Sequence, residues 1–169
     1  MKNVKKIVLA IALFVAASSF MNAQSKVAHI NVTELLQQMP EMIQAQAELK
    51  KLQETYKADI QGAMTEYQNK ATQYQNESQT KTREENEKRV LELQEIQKNI
   101  EGVEQTAMQD MQQKQQALFA PISDKAKAAI EKVAAAEGFD YVIDASQGGP
   151  VIVAKGKDLL PLVKVELGF

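Results

Sequence analysis

The sequence predicts an α+β chain, mostly α, in which a long antiparallel α-helical hairpin arm is carried by a small β-rich body that closes by oligomerising. Three observations predict it. Residues 41–120 hold no proline and only two glycines, and are rich in Gln, Glu, Lys and Ala, which favour or tolerate helix. The β-branched runs, at 26–32 and 140–155, lie only on the two flanks of that stretch. The three short strands and two short helices left for the body cannot close a core by themselves, because below about 40 residues a body usually needs metals, disulfides or oligomerisation. Cysteine is absent and histidine occurs once, which leaves oligomerisation.

From the N-terminus, residues 1–6 carry three lysines and no acid, and 7–17 are uninterruptedly apolar or small. This reads as a signal peptide over residues 1–23, too short for a membrane span of roughly 20 apolar residues. Cleavage is expected after Ala23, with Ser19 the alternative because Met21 is bulky for its position. The first strand is expected at 26–32. Asn31 with Glu34 three residues on reads as a capping box, so a short helix follows, which Pro40 breaks or bends.

The arm is expected over 41–120. Its first helix shows a seam at Met42, Ala45, Leu49, Leu52, Tyr56, Ile60, Ala63, Tyr67, Ala71 and Tyr74, in steps of three or four. The return helix repeats it from Leu93 through Ile96, Ile100, Val103, Ala107, Met111, Gln115 and Leu118 to Ile122, Ala126, Ala129 and Val133. One apolar residue per turn makes a stripe wide enough for one partner helix. The tip is placed at 76–83, which lacks large apolar residues, and each helix of the hairpin then reaches roughly 55–60 Å at 1.5 Å per residue.

The body is expected at 24–40 and 121–169. Gly138 should end the return helix with a left-handed cap. Residues 140–145 and 150–155 are expected to form a β-hairpin around Ser146-Gln-Gly-Gly149. Asp158 should cap a last helix through Leu167, with Pro161 in its first turn.

Composition narrows the function. Without its leader lysines the chain has 17 basic and 22 acidic residues, a poor balance for gripping phosphates, so no nucleic acid is expected as a partner. Nor is stable membrane insertion, since no later stretch is apolar enough to span a bilayer. His29 stands alone in a strand, and Asp140 and Asp144 would sit about 13 Å apart along theirs, too far to share a proton. The glycine-rich turn precedes a strand and so lacks the helix N-terminus of a phosphate cradle. No enzyme, catalytic residue, metal site or cofactor is therefore expected.

Several segments, in order, resemble the Skp/OmpH family of periplasmic chaperones over essentially the whole chain after the leader. They are Lys26-Val-Ala-His-Ile-Asn31, Pro121-Ile-Ser-Asp-Lys-Ala126, Ala129-Ile-Glu-Lys-Val-Ala134, Gly138-Phe-Asp-Tyr-Val-Ile-Asp144, and the closing Asp158-Leu159, Val163 and Leu167-Gly168. The resemblance implies a jellyfish-like homotrimer: strands joined into one small β-barrel-like body, and arms enclosing unfolded outer-membrane proteins. It implies an ATP-independent periplasmic holdase, soluble once the signal peptide is removed. Two departures stand out. Leu160-Pro161 replaces a polar pair, and the arm's ten basic against fourteen acidic residues argue against carrying over lipopolysaccharide or anionic-membrane binding. The alternative function is a structural or adaptor coiled coil of the cell envelope.

Candidate client-contacting residues, which the seam can equally use for interhelical packing, are Tyr56, Tyr67, Tyr74, Met64, Met108 and Met111. Soft, adaptable methionines suit promiscuous contact. Gly62 and Gly102 average to position 82, beside the tip centre, so they should share one level of the arm. They are read as a hinge or, alternatively, as sites of close helix contact beside Ala63 and Val103.

Overall fold

The computed structural model describes residues 25–169, so the leader and its cleavage site lie outside the described residues. The described chain forms two units, one of residues up to Leu35 together with 126–169, the other of 36–125.

In the first unit, β1 (Val27–Ile30) is the centre of a three-stranded sheet of order β2-β1-β3, where β2 is Tyr141–Asp144 and β3 is Lys157–Asp158. Both partners run parallel to β1, with Val27 opposite Tyr141, His29 opposite Ile143, and Ala28 opposite Lys157. The expected β-hairpin of 140–145 with 150–155 does not form. A hairpin joins neighbouring antiparallel strands, whereas β2 reaches β1 by the long helical crossover that a parallel pair demands. With β1 engaged on both edges, residues 150–155 carry no strand and Ile152 is 97% exposed.

The sheet is sided. Ala28 and Ile30 are buried with Leu35, Ala126, Ala129, Val133, Ala134, Leu159 and Val163. The opposite face leaves Val27, Tyr141 and Ile143 exposed.

The short helix α1 (Val32–Gln38) shows how few residues are needed to satisfy a helix start, whose first N–H groups lack intrahelical acceptors. Val32 N–H donates to Asp144 Oδ1 at 3.3 Å, Thr33 N–H to Ser146 Oγ at 3.0 Å, and Glu34 N–H to Asn31 Oδ1 at 3.0 Å. Leu35 N–H reaches the Asn31 carbonyl at 3.0 Å, and Asn31 Nδ2 donates to Glu34 Oε2 at 3.4 Å, a side-chain bond that joins the two residues of the expected box. Segment 144–146 is thus a cap for α1, and the buried Ser146 hydroxyl donates to Asp144 Oδ1 at 2.6 Å. At the end of the unit, Asp158 Oδ1 accepts from Leu160 N–H at 2.9 Å ahead of α4 (Leu160–Leu167).

The second unit holds α2 (Pro40–Glu77), a 3-10 turn at Ser78–Thr80, and the part of α3 (Arg83–Glu137) up to Lys125. Helix α3 runs on through Pro121, which deprives the Ala117 carbonyl of its helical donor, and stops at Gly138, whose φ of 72° suits a residue without a Cβ. The turn is pinned by a capping box: Glu85 N–H donates to Thr82 Oγ1 at 3.2 Å and Thr82 N–H to Glu85 Oε2 at 2.9 Å. Every residue of the α2 seam, from Met42 to Tyr74, is buried or half-buried. On α3 the stripe holds too, apart from Val103 and Gln115, which are exposed.

Candidate functional site

Along the hairpin the two helices are joined by polar latches at several levels. Glu41 pairs with Lys125, Glu48 with Lys114 at 2.8 Å, and the Tyr56 hydroxyl donates to Asp110 at 2.6 Å. Nearer the turn, Lys70 meets Glu92 at 2.5 Å, the Tyr74 hydroxyl donates to the other Glu92 oxygen at 2.6 Å, and Arg89 meets Glu77 at 2.5 Å. The Arg89 guanidinium also lies 4.5 Å over the Tyr74 ring.

These contacts shift the titration of their members. The Lys70 and Tyr74 hydrogen bonds hold Glu92 below the usual carboxylate range. Bonds from Gln73 and Arg89 do the same for Glu77. The phenols move the other way, because ionising Tyr56 or Tyr74 would lose the hydrogen bond its hydroxyl donates to Asp110 or Glu92.

Between the Tyr56 and Lys70 levels no side-chain hydrogen bond or ion pair joins the helices among the described residues. The surface carries two apolar hollows, one straddling the Tyr56 level and one within this stretch. One, of about 620 Å³, is lined by Tyr56, Ile60, Ala107, Met108 and Met111 with Gln53, Gln61, Gln112 and Gln115 at its rim. The other, of about 320 Å³, is lined by Met64, Tyr67 and Ile100 with Gln68, Gln97 and Glu101. On α2 their residues recur as Gln53, Lys57, Ile60, Met64 and Gln68, steps of three and four that place both hollows on one face.

Five of the six candidate contact residues therefore fall into these hollows: Tyr56, Met108 and Met111 in one, Met64 and Tyr67 in the other. Tyr74 is taken up by the latch at Glu92. Sequence reasoning missed Val90 and Leu91, which are 54% and 64% exposed and line a third hollow of about 700 Å³ with Lys81, Arg83, Asn86 and Glu87. The signal was available, since Val90 stands three residues before Leu93, in step with the seam, and Leu91 stands two before it, off that step.

Gly62 and Gly102 lie within the unlatched stretch. A Cβ built on either would meet nothing within 4 Å, so the reading of these glycines as close-contact sites is overturned: no neighbour comes near enough to require their absent side chains. Thr65 and Thr106 also turn their hydroxyls back to the carbonyls of Gln61 and Gly102, at 2.8 Å each, a habit that bends helices.

The family model for outer membrane protein (OmpH-like) matches residues 26–167. This chain belongs to the OmpH-like family. A solved structure of a candidate outer membrane chaperone (OmpH-like) from Caulobacter crescentus CB15 is similar in fold, with a TM-score of 0.74, 16% identity, and coverage of 86% of this chain and 85% of that one. No curated protein matches. The OmpH-like chain has no described helix long and apolar enough to cross a membrane, and no group of three or more His, Cys, Asp or Glu among the described residues is placed to hold a metal ion.

Proposed function

We propose that the protein is an ATP-independent periplasmic holdase that binds unfolded outer-membrane β-barrel proteins and keeps them from aggregating on their way to the outer membrane. The observation that carries the reading is the apolar face of the arm. On it a family assignment to OmpH-like proteins coincides with soft methionine and tyrosine surfaces rimmed by glutamine. Such a face offers many weak contacts and no shaped specificity, which suits a client without structure. Unfolded barrel strands alternate apolar and polar residues and cannot bury the apolar set before they meet lipid, so their edges pair with one another unless shielded.

The working form is a homotrimer, soluble after removal of residues 1–23. Support comes from the uncovered sheet face of Val27, Tyr141 and Ile143 and from the unpaired 151–153 segment, both of which a second copy would cover. Dilution should then dissociate and unfold the body in one step, followed by sedimentation and circular dichroism; a stable folded monomer would overturn the oligomeric form. The level of Gly62 and Gly102 acts as a hinge that lets the outer half of the arm adjust to clients of different size.

The functional test is suppression of aggregation when a urea-unfolded outer-membrane protein is diluted with the purified chain, without nucleotide. One client per trimer is expected. Absence of protection at any ratio would favour an adaptor coiled coil instead.

A further inference from the structure

We infer that the two hollows on the arm are a paired binding site for a locally extended polypeptide segment carrying apolar side chains at positions i and i+4. This rests on the holdase reading and adds the conformation and spacing of what is held.

The spacing comes from the helices. The residues lining the hollows are offset by about nine positions on α2 and about eleven on α3, which at 1.5 Å per residue is roughly 13–17 Å. An extended chain rises about 3.4 Å per residue and returns to the same side every second residue, so two side chains four apart point one way at about 13.5 Å. A spacing of three or five turns the second side chain to the opposite side. In a helical ligand, side chains four apart are only about 6 Å apart, too close to reach both hollows.

The rims point to the same ligand. Extended backbone outside a sheet presents unpaired N–H and C=O groups, whereas a helix has spent its own. Gln53, Gln61, Gln112 and Gln115 around one hollow, and Gln68 and Gln97 at the other, can both donate and accept, so either kind of backbone group finds a partner. Met108 is 69% and Met64 42% exposed, one at each hollow, so each can receive a side chain without rearrangement of the seam. Individually the contacts are weak, and joining two on one segment raises affinity through effective concentration.

The experiment uses the full mature chain with 13C-methyl methionine and a set of short Ser/Thr peptides carrying two leucines at separations from two to six. Titration is followed at the Met64 and Met108 methyls. The peptide with separation four is expected to move both methyls along one binding curve, about tenfold tighter than those with separation three or five. The variant Met108→Gln, at an exposed position, should bring that peptide down to the level of the others with circular dichroism unchanged. Affinity independent of separation, or two methyls following separate curves, overturns the paired site; if aggregation of an unfolded outer-membrane protein is still suppressed, the holdase reading stands without it. If neither peptides nor unfolded protein bind, both fall.

Discussion

Replacing Gly62 and Gly102 by alanine should stabilise the arm and stiffen it. Neither glycine has a positive φ, and a Cβ at either meets nothing within 4 Å, so alanine introduces no clash and no backbone strain. What remains is the intrinsic difference between the residues inside a helix, about 0.5–1 kcal/mol each, hence about 1–2 kcal/mol for the pair. With a urea m-value of about 1–3 kcal/mol/M, the unfolding midpoint should rise by about 0.3–2 M at fixed protein concentration. If the level is a hinge, hydrogen exchange in the wild-type chain is faster around both glycines than in the flanking turns, and the double variant slows it. The spread of tip-to-tip distances by spin-label spectroscopy narrows as well, and large clients are retained less well. A fall in stability would show that packing needs the glycines. Unchanged exchange and an unchanged distance spread would show that the arm does not bend there.

Ser146→Ala removes the acceptor for Thr33 N–H inside the cap of α1 and should cost about 1–3 kcal/mol in thermal or urea unfolding, with Ser146→Thr recovering part of it; a neutral alanine variant would refute the cap. Acidification should weaken the arm. Glu41, Glu77 and Glu92 are held below their ordinary value by their partners, so their contribution is full above the unfolded carboxylate pKa and is lost as pH falls through the folded one. Melting temperature should therefore fall below about pH 4.5, and Glu92→Gln should flatten that fall. Client affinity should change little between low and high salt, because arms with ten basic and fourteen acidic residues attract acidic precursors poorly; a steep loss with salt would assign binding to charge.

The helical hairpin was legible because its information is local and periodic. Each seam position follows from its neighbours three or four residues away, and the turn follows from the gap in the pattern. The body was legible only where a residue acts on its own neighbourhood, as Asn31 does on Glu34 and Gly138 on the end of α3. Strand pairing is a different kind of information. Two β-branched runs around Ser146-Gln-Gly-Gly149 satisfy every local rule for a hairpin, yet β1, more than a hundred residues earlier, takes both β2 and β3 in parallel register. That choice frees Asp144 and Ser146 to cap α1, a role that no pattern within either segment encodes.

The same division explains the candidate site. Seam spacing put Tyr56, Tyr67 and Tyr74 on one stripe, but it could not separate a ring that only lines a hollow, as Tyr67 does, from rings whose hydroxyls close latches, as Tyr56 does on Asp110 and Tyr74 on Glu92. Nor could spacing weigh Gly62 against its surroundings, because space beside a glycine is set by the facing helix. Once the facing helix is known, the arrangement follows one rule: polar latches hold the hairpin together from its base up to Tyr56 and again near its turn, while the stretch between Tyr56 and Lys70 is left to apolar contact alone. An ion pair or a buried hydrogen bond fixes one geometry, whereas methionine and tyrosine surfaces accept many. A chain that must hold unfolded clients of different size gains from leaving such a stretch of its arm without directional bonds. Moving a latch into the middle, by pairing a lysine at Gln61 with a glutamate at Gln105, should therefore leave the hairpin folded while reducing the range of clients it protects. Undiminished protection across small and large clients would separate binding from the compliance of this stretch.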